Sequence, residues 1–480
     1  MEIRLNQIGI VTDSLIKING LTVITGKNNS GKTTVGKALY SILDAVCDLK
    51  KKAMSDRDYY IYRKINDVSD LLDFLRIYQI QHSEDDNNAI TDYPALRILE
   101  SIDLRRELNQ QNMSEFAQEL LRELYTIDFD FLLQGYESDL YKRLLVRKNG
   151  ATDDLLDALN NQKKRAIEII EEAFEELDKD VGLVDYARES INQTLRVEFS
   201  NQIQPVSEQS ENSIIELTEG ENIYISLKIV DNKVLNDGTP VLFSTPFKKA
   251  YLIDNPFVID ELSERRFLSG RETDESKSFL NPNRIQPHNE RVKNSLHSIR
   301  KLSVLEQTFL DHSLESVKNK IDAIIPGSFE FTSTGYYYVQ NGNKLKMSNL
   351  ATGSKLFSIL KVLLEKGDIN SETMLILDEP EAHLHPEWQN AFAEVIVLLV
   401  KEAGTKVLLT THSPNFMLAI DANMRKYGIE EETNFYQTKF TENGLVEYQC
   451  ANDDIGEIYA GFLKYLSEAK MIRNRFVRGY

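Results

Sequence analysis

Hydrophobic and polar positions change their rhythm several times along this chain. Residues 2–10 and 21–25 read as strands, and Leu-Thr-Val-Ile-Thr at 21–25 is short, apolar and β-branched, as a buried strand requires. A helix is predicted from about Gly31 to Leu49. Residues 50 to about 195 take helical spacing, with Leu71, Leu72, Leu75 and Ile77 on one apolar face. Leu155, Leu156, Leu159, Ile167, Ile169 and Ile170 form another, and Pro94 is the only breaker. The heptads are too irregular to assert a long coiled coil, so the region reads as a large helical insertion in which a coiled-coil-like arm stays open. Strand-like alternation follows at Ile214–Leu217 and Ile223–Ile229, with turn signals at Asn232 and Asp237-Gly238. Residues 268–285 read as a loop and 287–324 as helix. A hairpin is expected over 328–346, turning at Asn341-Gly342-Asn343. From Met374 strands and helices alternate, ending with strands near 434–439 and 445–449 and a helix near 455–470. No internal repeat or low-complexity tract is visible.

The expected fold is therefore α/β with a helical insertion. Five segments follow: an N-terminal lobe (1–50), the insertion (51–195), a β-rich return to that lobe (196–265), a loop with a second helical segment (266–327) and a C-terminal lobe (328–480). At 480 residues and 41% hydrophobic content there is ample material for two or three structural units. The longest apolar run, Val395–Val400, is far too short to cross a bilayer, and the first residues do not look like a secretory leader. Cys47 and Cys450 suit two reduced thiols, so a cytoplasmic protein without a membrane partner is expected. A net charge of −19 repels bulk nucleic acid and fits a protein partner better. Two short basic runs, Lys142-Arg143 with Arg147-Lys148, and Arg473, Arg475 and Arg478, read as solvated surface.

The candidate chemistry begins at Gly26-Lys27-Asn28-Asn29-Ser30-Gly31-Lys32-Thr33-Thr34, which fits G-x-x-x-x-G-K-[ST] between a predicted strand and a predicted helix. Glycines there allow the positive φ that turns backbone N–H groups toward phosphate oxygens, and the following helix aims its positive end at the same anion. Lys32 would reach the β- and γ-phosphates, and Thr33 would place its hydroxyl on Mg²⁺. The apolar strand Met374–Leu377 ends in Asp378 and Glu379. Asp378 would join the metal's shell, and Glu379 would orient or deprotonate the attacking water. A further apolar strand, Lys406–Thr411, ends in His412, within reach of a γ-phosphate in such an arrangement.

These residues, with the phrase Leu377-Asp378-Glu379-Pro380-Glu381-Ala382-His383-Leu384-His385-Pro386, resemble ABC-type ATPases of the branch shared by SMC-like proteins and the OLD family. The likeness is close over roughly 1–45 and 345–425. It implies an ABC-type P-loop ATPase head using ATP and Mg²⁺, with Asp378 as the Walker B acid, Glu379 as the catalytic glutamate and His412 as the switch histidine. It also makes Leu350-Ala351-Thr352-Gly353-Ser354-Lys355 the ABC signature, which binds the nucleotide of the opposite subunit in an ATP-sandwiched homodimer or higher homo-oligomer. Ala351 and Thr352 stand where many relatives carry serine and glycine, leaving Thr352, Ser354 and the helix N-terminus to meet the phosphate. No aromatic residue precedes Gly26 to stack on adenine, so Arg4 or an aliphatic side chain would cover the base. The glutamine-loop residue is not assignable. A zinc reading of His383 and His385, with Glu381 and Glu387 nearby, yields to a structural or interface role for the two histidines beside the catalytic acids.

OLD nucleases append a Toprim-type nuclease domain. The stretch from Ser413 to Tyr480 is too short for one, so no nuclease is expected in this chain. The resemblance then narrows to stand-alone ATPases of anti-phage systems such as PARIS and Septu. It implies slow or regulated hydrolysis, a separate effector such as a nuclease, and an infection signal, such as a phage protein, as trigger. The competing reading is an SMC-like DNA-repair or DNA-end-handling ATPase, which leaves nucleic-acid binding open. A third reading is an ATP switch that does not hydrolyse.

Overall fold

The computed structural model describes residues 1–67, 113–126, 152–178, 182–205, 213–235, 245–263, 285–298, 302–304, 307–308, 314–332, 335–453, 455–456, 458–460, 468 and 470–474. The expected apolar face at Leu71–Ile77, Pro94, the basic run at 142–148, Asp237-Gly238, most of the 268–285 loop, Arg475 and Arg478 lie outside the described residues.

The strands are β1 (Glu2–Asn6), β2 (Ser14–Lys17), β3 (Leu21–Thr25), β4 (Ser213–Glu219), β5 (Asn222–Val230), β6 (Lys233–Val234), β7 (Lys249–Ile253), β8 (Ser328–Thr332), β9 (Gly335–Gln340), β10 (Asn343–Lys346), β11 (Thr373–Asp378), β12 (Lys406–Thr411), β13 (Thr433–Phe440) and β14 (Val446–Cys450). The helices are α1 (Lys32–Val46), α2 (Leu49–Asn66), α3 (Met113–Thr126), α4 (Thr152–Asp178), α5 (Leu183–Glu198), α6 (His288–His297), α7 (Glu315–Ile324), α8 (Thr352–Glu365), α9 (Pro386–Ala403) and α10 (Pro414–Tyr427).

The chain divides into two compact units. The first is built on a sheet of order β14-β13-β3-β12-β11-β7, parallel except for β14. Its central strands are apolar on both faces because both faces are covered. Met374, Ile376 and Leu408 point into a core with α1 and with the antiparallel sheet β2-β1-β4-β5-β6. Leu375, Leu377 and Leu409 point the other way, into a core that takes in Phe357 of α8, Phe392 of α9 and Phe416 of α10. Strand alternation thus sets α1 on one side of the sheet and α8 to α10 on the other.

The described part of the second unit falls within Lys50–Leu183. Helix α3 packs on α4, burying Ala117, Leu120 and Leu124 with Ala166, Ile170 and Ala173. The expected insertion ran to residue 195, but α5 from Val184 onward belongs to the first unit. The reason is its apolar stripe: Ala187, Ile191 and Leu195 are buried with α1 and the antiparallel sheet.

Two further expectations change in detail. The stretch 2–10 ends as a strand at Asn6, and β2, with only four residues, pairs antiparallel with β1. The 328–346 hairpin is a three-stranded meander, because β8 pairs with β9 as well. Its β9–β10 turn is the pair Asn341-Gly342, both at positive φ (51° and 77°), as a tight primed turn demands.

A candidate nucleotide-phosphate site

The loop after β3 is shaped for close approach. Asn29 and Gly31 take φ of 58° and 70°, the left-handed conformation that recurs in loops whose backbone N–H groups cradle anions. A Cβ on Gly26 would lie 1.7 Å from the Thr438 hydroxyl of β13, so only glycine fits. Thr438 donates to the Ser30 hydroxyl (2.7 Å), which donates to the Lys27 carbonyl (2.7 Å). The Tyr448 hydroxyl donates to the Gly31 carbonyl, and burial pushes that phenol above its ordinary range. The loop is thus braced by β13 and β14 before any ligand arrives.

Lys32 is 5% exposed. Its amine donates to the Lys27 carbonyl at 2.9 Å and the Gly26 carbonyl at 3.3 Å, and lies 3.4 Å from Glu379 Oε1. Thr33 donates its hydroxyl to Asp378 Oδ2 at 2.7 Å, joining residues 345 positions apart. The other carboxylate oxygen accepts from the Thr410 hydroxyl at 2.5 Å. A hydroxyl and a carboxylate in contact are hard oxygen donors of the kind that would hold a Mg²⁺ ion, which neutralises charge on bound phosphates. The donor set fits that ion, and the braced loop fits a phosphate chain. Among the described residues, no cluster of three or more His, Cys, Asp or Glu side chains is arranged to hold a metal by itself.

Glu379 carries φ of 48°, which is uncommon for a residue with a Cβ and is tolerated where surroundings fix it. They do so here: its N–H donates to the Thr410 carbonyl at 3.2 Å and the Thr410 hydroxyl at 3.0 Å. The resulting turn brings Glu379 Oε1 to 3.3 Å from His412 Nδ1. Lys32, Glu379 and His412 therefore line up around one carboxylate. Behind them the Glu381 side chain is 2% exposed, accepts from the Thr411 hydroxyl at 2.5 Å, and has a pKa raised by burial.

A second polar cluster fixes α1. His288 of α6 lies between two carboxylates, with Nδ1 at 2.6 Å from Glu198 of α5 and Nε2 in an ion-pair contact 2.9 Å from Asp254 after β7. Burial alone would lower its pKa, but Asp254 and Glu198 outweigh that and raise it to about 9. Lys37 of α1 donates to the Glu198 carbonyl at 3.0 Å, and Arg291 lies 3.4 Å from Asp44.

The signature segment is built differently. Ala351 precedes α8 with no side chain capping the helix N-terminus. Thr352, Gly353 and Ser354 are partly exposed. Gly353 packs against the Trp388 ring and the His383 carbonyl, where a Cβ would come within 3.1 Å of the ring. Lys355 turns inward: it is 3% exposed, its amine sits 2.5 Å from both oxygens of Asp260, and it lies over the Phe257 ring. Lys355 was expected among the nucleotide-binding residues; within its own subunit its amine pairs with Asp260. Among the described residues, no hydrogen bond or ion pair joins Ala351–Lys355 to Gly26–Thr34 or to Asp378-Glu379.

His383 stands edge-on to Phe257, and His385 caps α9 by accepting the Glu387 N–H. Arg4 forms a fork with Asp13 at 2.8 and 2.9 Å on the antiparallel sheet. Thr410, Thr438 and Tyr448 were not singled out from sequence, and Glu381 was named only as a neighbour in the zinc reading. The first had one signal, its place at the end of an apolar strand two residues before His412.

A strand–loop–helix phosphate cradle beside an acidic strand end on a parallel sheet defines a P-loop ATPase of α/β fold. Residues 9–417 match the family described as AAA ATPase domain, and the chain belongs to that family. The Old nuclease of Escherichia phage P2 is 30% identical over 104 residues, which cover 22% of this chain and 16% of that protein's length. Among solved structures, the SMC head domain from Thermotoga maritima aligns over 94% of this chain and 97% of its own, at 11% identity and a TM-score of 0.34. An Smc head with an extended coiled coil from Pyrococcus furiosus, bound to the C-terminal domain of ScpA, aligns over 98% of each chain at 10% identity and a TM-score of 0.31. No helix among the described residues is long and apolar enough to cross a membrane.

Proposed function

We propose that this chain binds and hydrolyses ATP at Gly26–Thr34, Asp378 and Glu379, in a site completed by Thr352–Ser354 of a second copy, and that this cycle controls a separate effector protein in defence against phage. The observation that carries the hydrolytic part is the Thr33–Asp378 contact beside Lys32, Glu379 and His412. Lys32 would hold phosphate oxygens, and Thr33 and Asp378 would hold Mg²⁺. Bound magnesium supplies charge neutralisation at the phosphates. Glu379 would accept a proton from water, and His412 would meet the terminal phosphate. The uncapped N-terminus of α8 suits a phosphate from the partner, since its first N–H groups have no side-chain acceptor.

The effector is proposed to be a nuclease. Support comes from the resemblance to stand-alone defence ATPases and from the 30% identity to part of a phage nuclease. The net charge of −19 favours a protein partner over free DNA. Turnover is tested with Glu379→Gln: ATP should stay bound while phosphate release falls by about 10²–10⁴-fold, the usual worth of a general base. Hydrolysis at the wild-type rate would refute the assignment. Co-purification from the native host tests the rest. A nuclease recovered with the chain is the expected result, and DNA alone, with hydrolysis stimulated by it, would favour the DNA-handling alternative.

A further inference from the structure

The carboxylate of Glu381 is not needed for the phosphate cradle, yet it is buried against the hydrolytic residues. Its Oε1 accepts from the Thr411 hydroxyl at 2.5 Å and from the His412 N–H at 3.2 Å. The same oxygen lies 3.9 Å from His412 Nδ1, which is also 3.3 Å from Glu379 Oε1. Its Oε2 is buried with no hydrogen-bond partner. A tether for the β12 exit needs only one neutral acceptor, and an orphaned charged oxygen makes a carboxylate a costly choice for that task alone. What a carboxylate adds is a charge beside the imidazole. The turn that delivers it is closed on itself: the Ala382 N–H donates to the Glu379 carbonyl at 3.1 Å, and the Leu384 N–H to the Glu381 carbonyl at 3.0 Å. Glu379 and Glu381 thus sit in one hydrogen-bonded turn.

We propose that Glu381 is a positioning residue that holds the His412 imidazole against Glu379, so that the two carboxylates flank Nδ1 and leave Nε2 for the terminal phosphate. The proposal rests on the hydrolytic reading above. Burial raises the carboxyl's pKa, and the Thr411 hydroxyl and the His412 contacts offset only part of that shift, so the case for the contact stands on the geometry.

The test is a double-mutant cycle in the full-length protein, using Glu381→Gln and His412→Ala. Gln keeps an acceptor for Thr411 and the His412 N–H but removes the charge. Phosphate release should fall about tenfold in Glu381→Gln, with affinity for a fluorescent ATP analogue within about twofold of wild type. In the His412→Ala background the same change should cost less than about twofold, because residues acting as a unit are not additive. An equal loss in both backgrounds, or no loss in either, overturns the proposal. Should Glu381→Gln fail to fold, Thr411→Val takes its place in the cycle, since it removes a donor from the same carboxylate. A second readout needs no turnover: in nucleotide-free protein, the His412 ring resonance, assigned by its loss in His412→Ala, should shift in Glu381→Gln or Thr411→Val. An unmoved resonance refutes the contact. If Glu379→Gln hydrolyses normally, the hydrolytic reading fails separately, and the resonance still decides whether Glu381 positions His412.

Discussion

Two buried lysines mark two halves of the proposed site. Lys32 and Lys355 are 5% and 3% exposed. Lys32 rests on the loop carbonyls of Gly26 and Lys27 and only approaches Glu379, so an incoming phosphate can take over its charge. Lys355 is held by both oxygens of Asp260 over the Phe257 ring and has no such freedom. The same residue type, equally buried, is in one place poised for a ligand and in the other a structural pin. The phosphate half is assembled within one chain, as the Thr33–Asp378 bond shows. The signature half offers only backbone N–H groups and small side chains.

The largest effect should fall on the phosphate half. Lys32→Ala removes the cation that would neutralise the phosphates, and losing one partner of a buried charge pair typically costs 2–5 kcal/mol. Affinity for ATP should drop on the order of 10³-fold by isothermal titration. A loss below about tenfold would mean that Lys32 remains bound to its own loop when nucleotide is present.

The next effect concerns what keeps α1 in place. His288 has a folded pKa of about 9 against an ordinary 6.5, raised by its two carboxylates. A raised pKa contributes stability fully below pH 6.5 and loses it as pH climbs through 9. The shift amounts to about 3 kcal/mol. Denaturant unfolding of the wild type should therefore weaken between pH 6.5 and 9, and His288→Ala should flatten that slope. An unchanged slope in the variant would show that Glu198 and Asp254 do not hold a charged imidazole.

Lys355→Met sharpens the contrast from the other side. It should lower stability by about 2 kcal/mol, because Asp260 loses the Lys355 amine in a partly buried site. ATP affinity of the isolated subunit should change less than twofold, measured by the same titration. A large loss of affinity would erase the distinction between the two lysines.

Much of the phosphate half is legible in sequence because its chemistry demands adjacent residues. Gly26, Gly31, Lys32 and Thr33 must be neighbours to wrap one anion, and Asp378-Glu379 must end a buried strand. Its braces are not legible. Thr438 and Tyr448 reach Ser30 and Gly31 from more than 400 positions away, and neither residue type announces such a task. The signature half shows the opposite failure. Motif spacing identifies the loop but not the direction of each side chain, so Gly353 and Lys355 look equally accessible on paper. In the fold Lys355 turns inward, with Asp260 at its amine and the Phe257 ring alongside. Strand β2 was missed because four residues, Ser-Leu-Ile-Lys, are too few for a period to show.

The smallest effect should come from Thr352→Ala, and it tests whether the halves meet between subunits. Thr352 opens α8 after an uncapped N-terminus and makes no described contact with the phosphate loop of its own chain. Nucleotide affinity of the isolated subunit should therefore stay within about twofold of wild type. ATP-driven association should weaken by about tenfold, the equivalent of ~1.4 kcal/mol for a lost hydroxyl–phosphate hydrogen bond. Sedimentation of Glu379→Gln with ATP, with and without Thr352→Ala, measures this while hydrolysis is blocked. If Thr352→Ala weakens nucleotide binding in the monomer but leaves association unchanged, the signature segment serves its own subunit. The two lysines would then mark two walls of a single intrachain pocket.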